Sequence, residues 1–203
     1  MPHIVIIEDL FMEKTDDASR ALIWTEVEKR ILYKTSVLTL AETESRAPDG
    51  RCSNFIVLDA TDWVIVIPQK DDTFLMVRQW RHGERALSIE FPGGIIEPGE
   101  TPLEGAVREL REETGCTAQT MSLLGSFNPN PALMTNRVYV FLAEQLSEPQ
   151  ELQLDDDEYV QCLELPQKAV IDGLGTPEYS HALMTAALAL YLWRTYCCTT
   201  TRS

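Results

Sequence analysis

Basic residues are scarce in this 203-residue chain: 17 Lys and Arg stand against 32 Asp and Glu, for a formal net charge of −15. Broad electrostatic adhesion to DNA, RNA or an anionic membrane is excluded as a primary activity, because those surfaces are themselves negative. Phosphate compounds stay within reach provided that metal ions stand between the two anionic partners. Cysteine is sparse and unpatterned. The five (Cys52, Cys116, Cys162, Cys197 and Cys198) are odd in number and show no CxxC spacing, which fits neither a disulfide framework nor a zinc site and suits a reducing, cytoplasmic setting. Long apolar runs are missing too. The longest, residues 182–193, is about a dozen residues, short of the roughly 20 that a membrane-spanning helix needs. The first residues, MPHIVIIEDLFMEK, place Glu8 and Asp9 directly behind a four-residue apolar run, without the basic opening of a signal peptide, so secretion is not expected.

What is present is a real core. An apolar content of 44% over this length suffices for one domain of ordinary size and an extension. Residues 24–40 are rich in β-branched and aromatic side chains and lead to a turn-prone stretch at 46–50, which reads as strands and a hairpin-like loop. Residues 1–45 are therefore taken as an amino-terminal β extension and 46–203 as the main domain. Short apolar runs at 54–60, 63–68 and 73–79, separated by Asp-rich turns, read as strands of a mixed sheet. The period becomes helical over 102–113, strands return at 121–127 and 137–143, and a last helix is expected over about 179–196. Strands on both sides of one helix point to the α/β class, with a three-layer α/β/α sandwich.

The stretch GETPLEGAVRELREETGC, residues 99–116, carries its own helix signals. Thr101 and Glu104 form a capping box, Pro102 takes the first helical position, and Gly115 supplies the left-handed stop. At 100° per residue Leu103, Ala106, Val107, Leu110 and Thr114 share one face, expected to be core, and Glu109, Glu112 and Glu113 share another. Like charges at i, i+3 and i+4 destabilise a helix unless neutralised. A divalent cation would do so, and oxygen-only ligands favour Mg²⁺, with Mn²⁺ as a substitute, over zinc. Gly105 points to the glutamate side, where its missing side chain would leave room for a phosphate. The competing reading of such a face is a solvated surface. Arg108 likewise has ordinary helix salt bridges open to it, with Glu104 and Glu112 four residues to either side.

The whole string decides between these readings. Gly94, five residues, Glu100, seven residues, Arg108-Glu109-Leu110, one residue, Glu112-Glu113, one residue, Gly115 and then Cys116 resembles the Nudix box at every defined position, Cys116 taking the final apolar one. The resemblance implies a Nudix fold whose loop–helix–loop holds Mg²⁺ against a diphosphate. It implies Glu109 and Glu113 as principal metal ligands, Glu112 close to them, Gly94 as part of the metal-holding loop, Glu100 supporting that loop, and Arg108 orienting the glutamates.

From about residue 24 to 193 the chain is similar to the ADP-ribose pyrophosphatase and nucleotide-sugar hydrolase branch of that family, through Val77-Arg78-Gln79-Trp80-Arg81, Ile89-Glu90-Phe91-Pro92-Gly93-Gly94 and Asn130-Pro131-Ala132-Leu133. The branch implies Pro131 in a substrate loop, although Ala132 replaces the glycine that usually follows. It also implies Glu90 as a further ligand or else a strand-end surface residue, Arg81 and then Arg78 as cations for the substrate, and Trp24 as a base-stacking or a core residue. A homodimer formed through the extension is implied as well. In the branch the base that activates water comes from an acidic loop after the box; Glu158 is the first choice and Asp156 the second. The three histidines, His3, His82 and His181, offer no rival. The expected reaction is Mg²⁺-dependent hydrolysis of ADP-ribose or a nucleoside diphosphate sugar to a nucleoside monophosphate and a sugar phosphate. The rivals are another Nudix substrate (a dinucleoside polyphosphate or damaged nucleoside triphosphate), a nucleotide-sensing module without turnover, and a structural acidic protein.

Overall fold

The computed structural model describes residues 17–151 and 159–197. The chain divides into two compact units at Asp59 and Ala60, later in the chain than the boundary after residue 45 expected from the sequence.

The first unit holds a one-turn helix α1 (Asp17–Arg20) and a three-stranded sheet of β1 (Thr25–Lys34), β2 (Leu38–Arg46) and β3 (Cys52–Ala60), in the order β1-β2-β3. β1 and β2 pair antiparallel from Thr25 opposite Arg46 to Lys34 opposite Thr39, with irregularities between Glu26 and Glu28 and between Ile31 and Tyr33. The loop after β2 is closed by Gly50, at φ +89°, which a side chain would strain. One expectation is corrected here. Residues 54–60 do form a strand, but in this sheet rather than in the mixed sheet, because the 46–50 turn folds β3 back onto β2. A period-2 apolar pattern specifies a strand and leaves its partner open.

The second unit is built on strands β4 (Trp63–Lys70), β5 (Thr73–Arg81), β6 (Ala86–Glu90), β7 (Ala118–Phe127), β8 (Val138–Leu146) and β9 (Val160–Pro166), in the order β6-β5-β4-β8-β7 with β9 on β5. β4 and β8 run parallel, whereas β4–β5, β5–β6, β5–β9 and β7–β8 are antiparallel, so the sheet is mixed. β4 shows how the layers form. Its side chains alternate, and Val64 and Val66 join one buried cluster with Ala106 and Leu110 of helix α2 (Pro102–Thr114). Ile65 and Ile67 join another, with Val170 of α3 (Gln167–Gly173) and Met184, Ala187, Leu188 and Tyr191 of α4 (Ala182–Leu192). Helices on both faces of a mixed sheet give the α/β/α sandwich. Each of the valine, leucine, isoleucine and methionine side chains among them contributes roughly 1.5–3 kcal/mol by leaving water. The last helix is shorter at its start than the expected 179–196: Pro177–Tyr179 form a 3-10 turn, α4 begins at Ala182, and a π-helical turn follows at Trp193–Cys197.

Candidate active site

Helix α2 has the 13 residues its capping signals specify. Thr101 Oγ1 accepts from Glu104 N at 3.3 Å, Glu104 Oε2 accepts from Thr101 N at 2.8 Å, and Gly115, at φ +71°, donates its N–H to Arg111 O. Its buried face is not the one expected. Ala106, Leu110 and Thr114 are buried, but so are Gly105, Glu109 and Glu113, whereas Leu103 and Val107 are 45% and 43% exposed. The cause is the loop leading from β6 into the helix, which lies against the glutamate side and turns it inward. Gly105 faces that loop: a Cβ there would sit 3.3 Å from Glu100 Oε2 and 3.6 Å from Ile96 Cγ1. The space beside Gly105 is thus occupied by the loop, and the expectation that it would admit a phosphate is corrected.

Loop and sheet are sewn together by backbone bonds. Val66 N donates to Pro92 O at 2.8 Å and Val64 N to Gly94 O at 2.9 Å, while Gly93 N donates to Glu113 Oε2 at 2.8 Å. The Gly94 carbonyl, placed in the metal-holding loop by resemblance, is therefore engaged with the sheet, and the Gly93 carbonyl between these two accepts no hydrogen bond among the described residues. What Gly94 supplies is space, since a Cβ there would overlap the Glu109 carboxylate.

Arg108 organises the rest. Its Nε and Nη2 reach the two oxygens of Glu100 at 2.9 and 3.1 Å, Nη1 reaches Glu109 Oε1 at 2.9 Å and Glu112 Oε2 at 3.0 Å, and Nη2 also donates to Ile95 O at 2.8 Å. Glu104 is not among its partners, being used in the capping box. The hydrogen bonds to Glu100 above all, with those to Glu109 and Glu112, raise the guanidinium pKa against the opposing effect of burial. The same Arg108 bonds, with the Glu97 amide, hold the Glu100 carboxyl below its usual range.

Among the described residues no three acidic, His or Cys side chains converge as a ready-made metal site. The residues nevertheless fit a hard divalent ion. Glu109 and Glu113 are buried carboxylates one helical turn apart, the donors are all oxygen, and the glycine at 94 keeps a cradle open over Glu109.

Glu90 is not a surface residue. It is fully buried at the end of β6, and Arg81 grips both its oxygens, Nε to Oε1 at 2.8 Å and Nη2 to Oε2 at 2.5 Å. Burial pushes the Glu90 carboxyl up, but the Arg81 hydrogen bonds and charge outweigh it and hold the pKa below the ordinary value. Arg81 keeps 40% of its side chain exposed, and its hydrogen bonds to Glu90 above all, with the charges of Glu90 and Glu113, raise the guanidinium pKa against the effect of burial. Arg78, on β5 opposite Ile89 where Arg81 is opposite Ala86, is half-buried and forms no side-chain hydrogen bond or ion pair among the described residues. Pro131 is exposed in a turn closed by Asn128 Nδ2 to Met134 O at 2.7 Å and Met134 N to Asn130 O at 2.8 Å. Trp24 belongs to the first unit, where its ring meets Phe55 edge-on at 5.3 Å between centroids. Glu158 and Asp156 lie outside the described residues. Cys116 fills the last position of the box as a buried apolar residue, and its burial raises the thiol pKa.

The NUDIX domain model matches residues 59–179, more than half of the chain. The chain belongs to the Nudix hydrolase family. Relatives within the Nudix enzymes include an ADP-ribose pyrophosphatase of Bacillus subtilis (strain 168), 33% identical over 68% of this chain and 76% of that protein. The ADP compounds hydrolase NudE of Escherichia coli (strain K12) is 29% identical over 63% of this chain and 68% of its own length. An ADP-ribose pyrophosphatase of Saccharomyces cerevisiae is 30% identical over 77% and 68%. A solved structure described as an ADP compounds hydrolase superposes with a TM-score of 0.76 at 24% identity, covering 89% of this chain and 97% of that one, a likeness of Nudix fold.

Two residues of this region carry no signal in the motif. Ser88 and His181 stand beside the Arg81–Glu90 pair, and only the tertiary structure brings them there.

Proposed function

We propose that this Nudix hydrolase cleaves the diphosphate bond of ADP-ribose or a related nucleoside diphosphate sugar, releasing a nucleoside monophosphate and a sugar phosphate, with Mg²⁺ as cofactor and Mn²⁺ as a substitute. The observation that carries the reading is the burial of Glu109 and Glu113 on α2 beneath the Gly93–Gly94 loop. Arg108 pairs with Glu109 and the Gly93 N–H with Glu113, and a hard divalent cation would add its charge to two sheltered carboxylates whose donors are all oxygen. The names of the relatives supply the substrate class.

In this reading Glu109 and Glu113 hold the cation, with Glu112 near it and the Gly93 carbonyl as the loop oxygen. Bound Mg²⁺ supplies charge neutralisation for the diphosphate and for the leaving oxygen. Arg108, tied to Glu100, fixes the glutamate side chains. Arg81 presents its exposed edge to a phosphate oxygen, and Glu90 orients it rather than ligating metal, since both its oxygens are committed. Arg78 is a second cation for the substrate. Glu158, or Asp156 in its place, takes the proton of the attacking water. Pro131 stiffens a substrate loop, and Trp24 stacks on the base, supplied through a homodimer whose contact is the first unit. The odd number and unpatterned spacing of the cysteines support a cytoplasmic setting.

Hydrolysis of ADP-ribose, GDP-mannose, UDP-glucose, diadenosine polyphosphates and nucleoside triphosphates, with Mg²⁺ or with chelator, tests this. Mg²⁺-dependent release of nucleoside monophosphate from ADP-ribose or a nucleotide sugar is expected; preferential cleavage of triphosphates or dinucleoside polyphosphates contradicts it.

A further inference from the structure

At the edge strand β6 the second unit opens into a cleft of about 420 Å³, within the range of small-molecule sites. Its walls include Arg81, Glu84, Ser88, Glu90, Ser180 and His181. Apart from the imidazole and the guanidinium they offer no planar group on which a base could stack. They are donors and acceptors placed close together, the chemistry that recognises a polyol.

Two of these residues are poised in a way the fold itself does not use. Ser88 is 1% exposed, and its hydroxyl, though close enough to Glu90 to favour the carboxylate, forms no hydrogen bond of normal geometry. A buried hydroxyl left without a partner is costly unless something else completes it. His181 caps α4 by accepting Leu183 N at its Nδ1, 3.2 Å away. That commitment leaves the proton of the neutral ring on Nε2 as a donor. Burial holds the imidazole toward its neutral form, with Glu90 opposing and Arg81 reinforcing it.

We propose that this cleft is the subsite for the terminal sugar of the substrate, with Ser88 and His181 as specificity-determining residues that bind its hydroxyl groups beside the Arg81–Glu90 pair. The proposal rests on the reading of the protein as a nucleoside diphosphate sugar hydrolase and deepens it. Arg81 meets the diphosphate at the mouth of the cleft, and the sugar attached to it enters between β6 and the start of α4. A substrate without hydroxyls at that end leaves Ser88 unpartnered.

The test compares kcat/KM for ADP-ribose with that for the β-butyl ester of ADP, which has the same diphosphate bond and no sugar hydroxyl there, using the full-length protein with Mg²⁺. Ser88→Ala removes the hydroxyl and leaves the Arg81–Glu90 hydrogen bonds in place. His181→Asn keeps a side chain able to cap α4 while removing Nε2–H. Each is expected to shrink the preference of the wild type for ADP-ribose by about fivefold or more, chiefly through KM, with a melting temperature for Ser88→Ala no lower than that of the wild type. A preference that stays the same in both variants overturns the subsite even though the enzyme cleaves ADP-ribose. A wild type that cleaves neither compound overturns the functional reading and the subsite with it.

Discussion

Arg108 is the residue on which the glutamate cluster depends. It bonds to Glu100, Glu109, Glu112 and the Ile95 carbonyl at once, which only a guanidinium with its several fixed donors can do. Arg108→Ala is expected to lower stability by about 3 kcal/mol, because it leaves a buried carboxylate without its cation. Arg108→Lys should restore little of that, and saturating Mg²⁺ should recover more in either variant than in the wild type; denaturant titration with and without Mg²⁺ measures both. Glu90 gives a pH signature. Its folded pKa lies below the ordinary 4.5, so the Arg81–Glu90 pair contributes stability above that value and loses it as pH falls through the lower, folded pKa. Melting curves between about pH 6 and pH 3 should fall less steeply in Glu90→Gln than in the wild type. Equal slopes would show that the pair contributes nothing to acid stability.

At the scale of elements the two loop glycines make opposite predictions. A Cβ at Gly93 would run into the backbone carbonyl of Val64, which cannot move without opening the sheet, whereas one at Gly94 would meet only the end of the Glu109 side chain. Gly93→Ala should therefore cost roughly 2 kcal/mol or more of stability. Gly94→Ala should fold nearly as well as the wild type and lose activity, through a displaced carboxylate. Thermal melts and steady-state rates on the pair separate the two effects. The elements also show how far the sequence could be read. The limits of α2 were legible to within a residue because capping is local: Thr101, Pro102 and Glu104 act within its first turn and Gly115 at its end. The face α2 would bury was not legible, since Leu103 and Val107 look like core until the loop over Glu109 and Glu113 is seen to compete for the same helix. For the same reason β3 was found as a strand and assigned to the wrong sheet. In the site, the meeting of Arg108 with Glu100, Glu109 and Glu112 was legible through the resemblance to the Nudix box, which singles out these residues together. The Arg81–Glu90 grip joins neighbouring strands nine residues apart, and Ser88 with His181 joins β6 to a helix start more than ninety residues away, so neither left a local pattern.

For the whole molecule, the first unit is the part that calls for a partner. β1 is exposed along all ten residues, with Val27, Ile31, Leu32 and Tyr33 among them, and Leu22 and Ile23 just before it are exposed as well. Apolar side chains gathered at this density on one strand mark an interaction surface. Light scattering after size-exclusion chromatography is expected to give roughly twice the 23.0 kDa of one chain, and Ile31→Lys should shift it toward the monomer. A wild type that elutes as a monomer at micromolar concentration contradicts the dimer. In a protein of net charge −15, the proposed cation is what would reconcile the chain with an anionic substrate.

The most direct measurement is the rate of AMP release from ADP-ribose by the wild type and by Glu113→Gln, each with saturating Mg²⁺ and with chelator. Glu113→Gln keeps the size of the side chain and an oxygen for Gly93 N, so its melting temperature should stay close to that of the wild type. The account predicts Mg²⁺-dependent AMP release by the wild type and a loss of at least about 100-fold in the variant. Equal rates in the two proteins, or a wild-type rate unaffected by chelator, would contradict it.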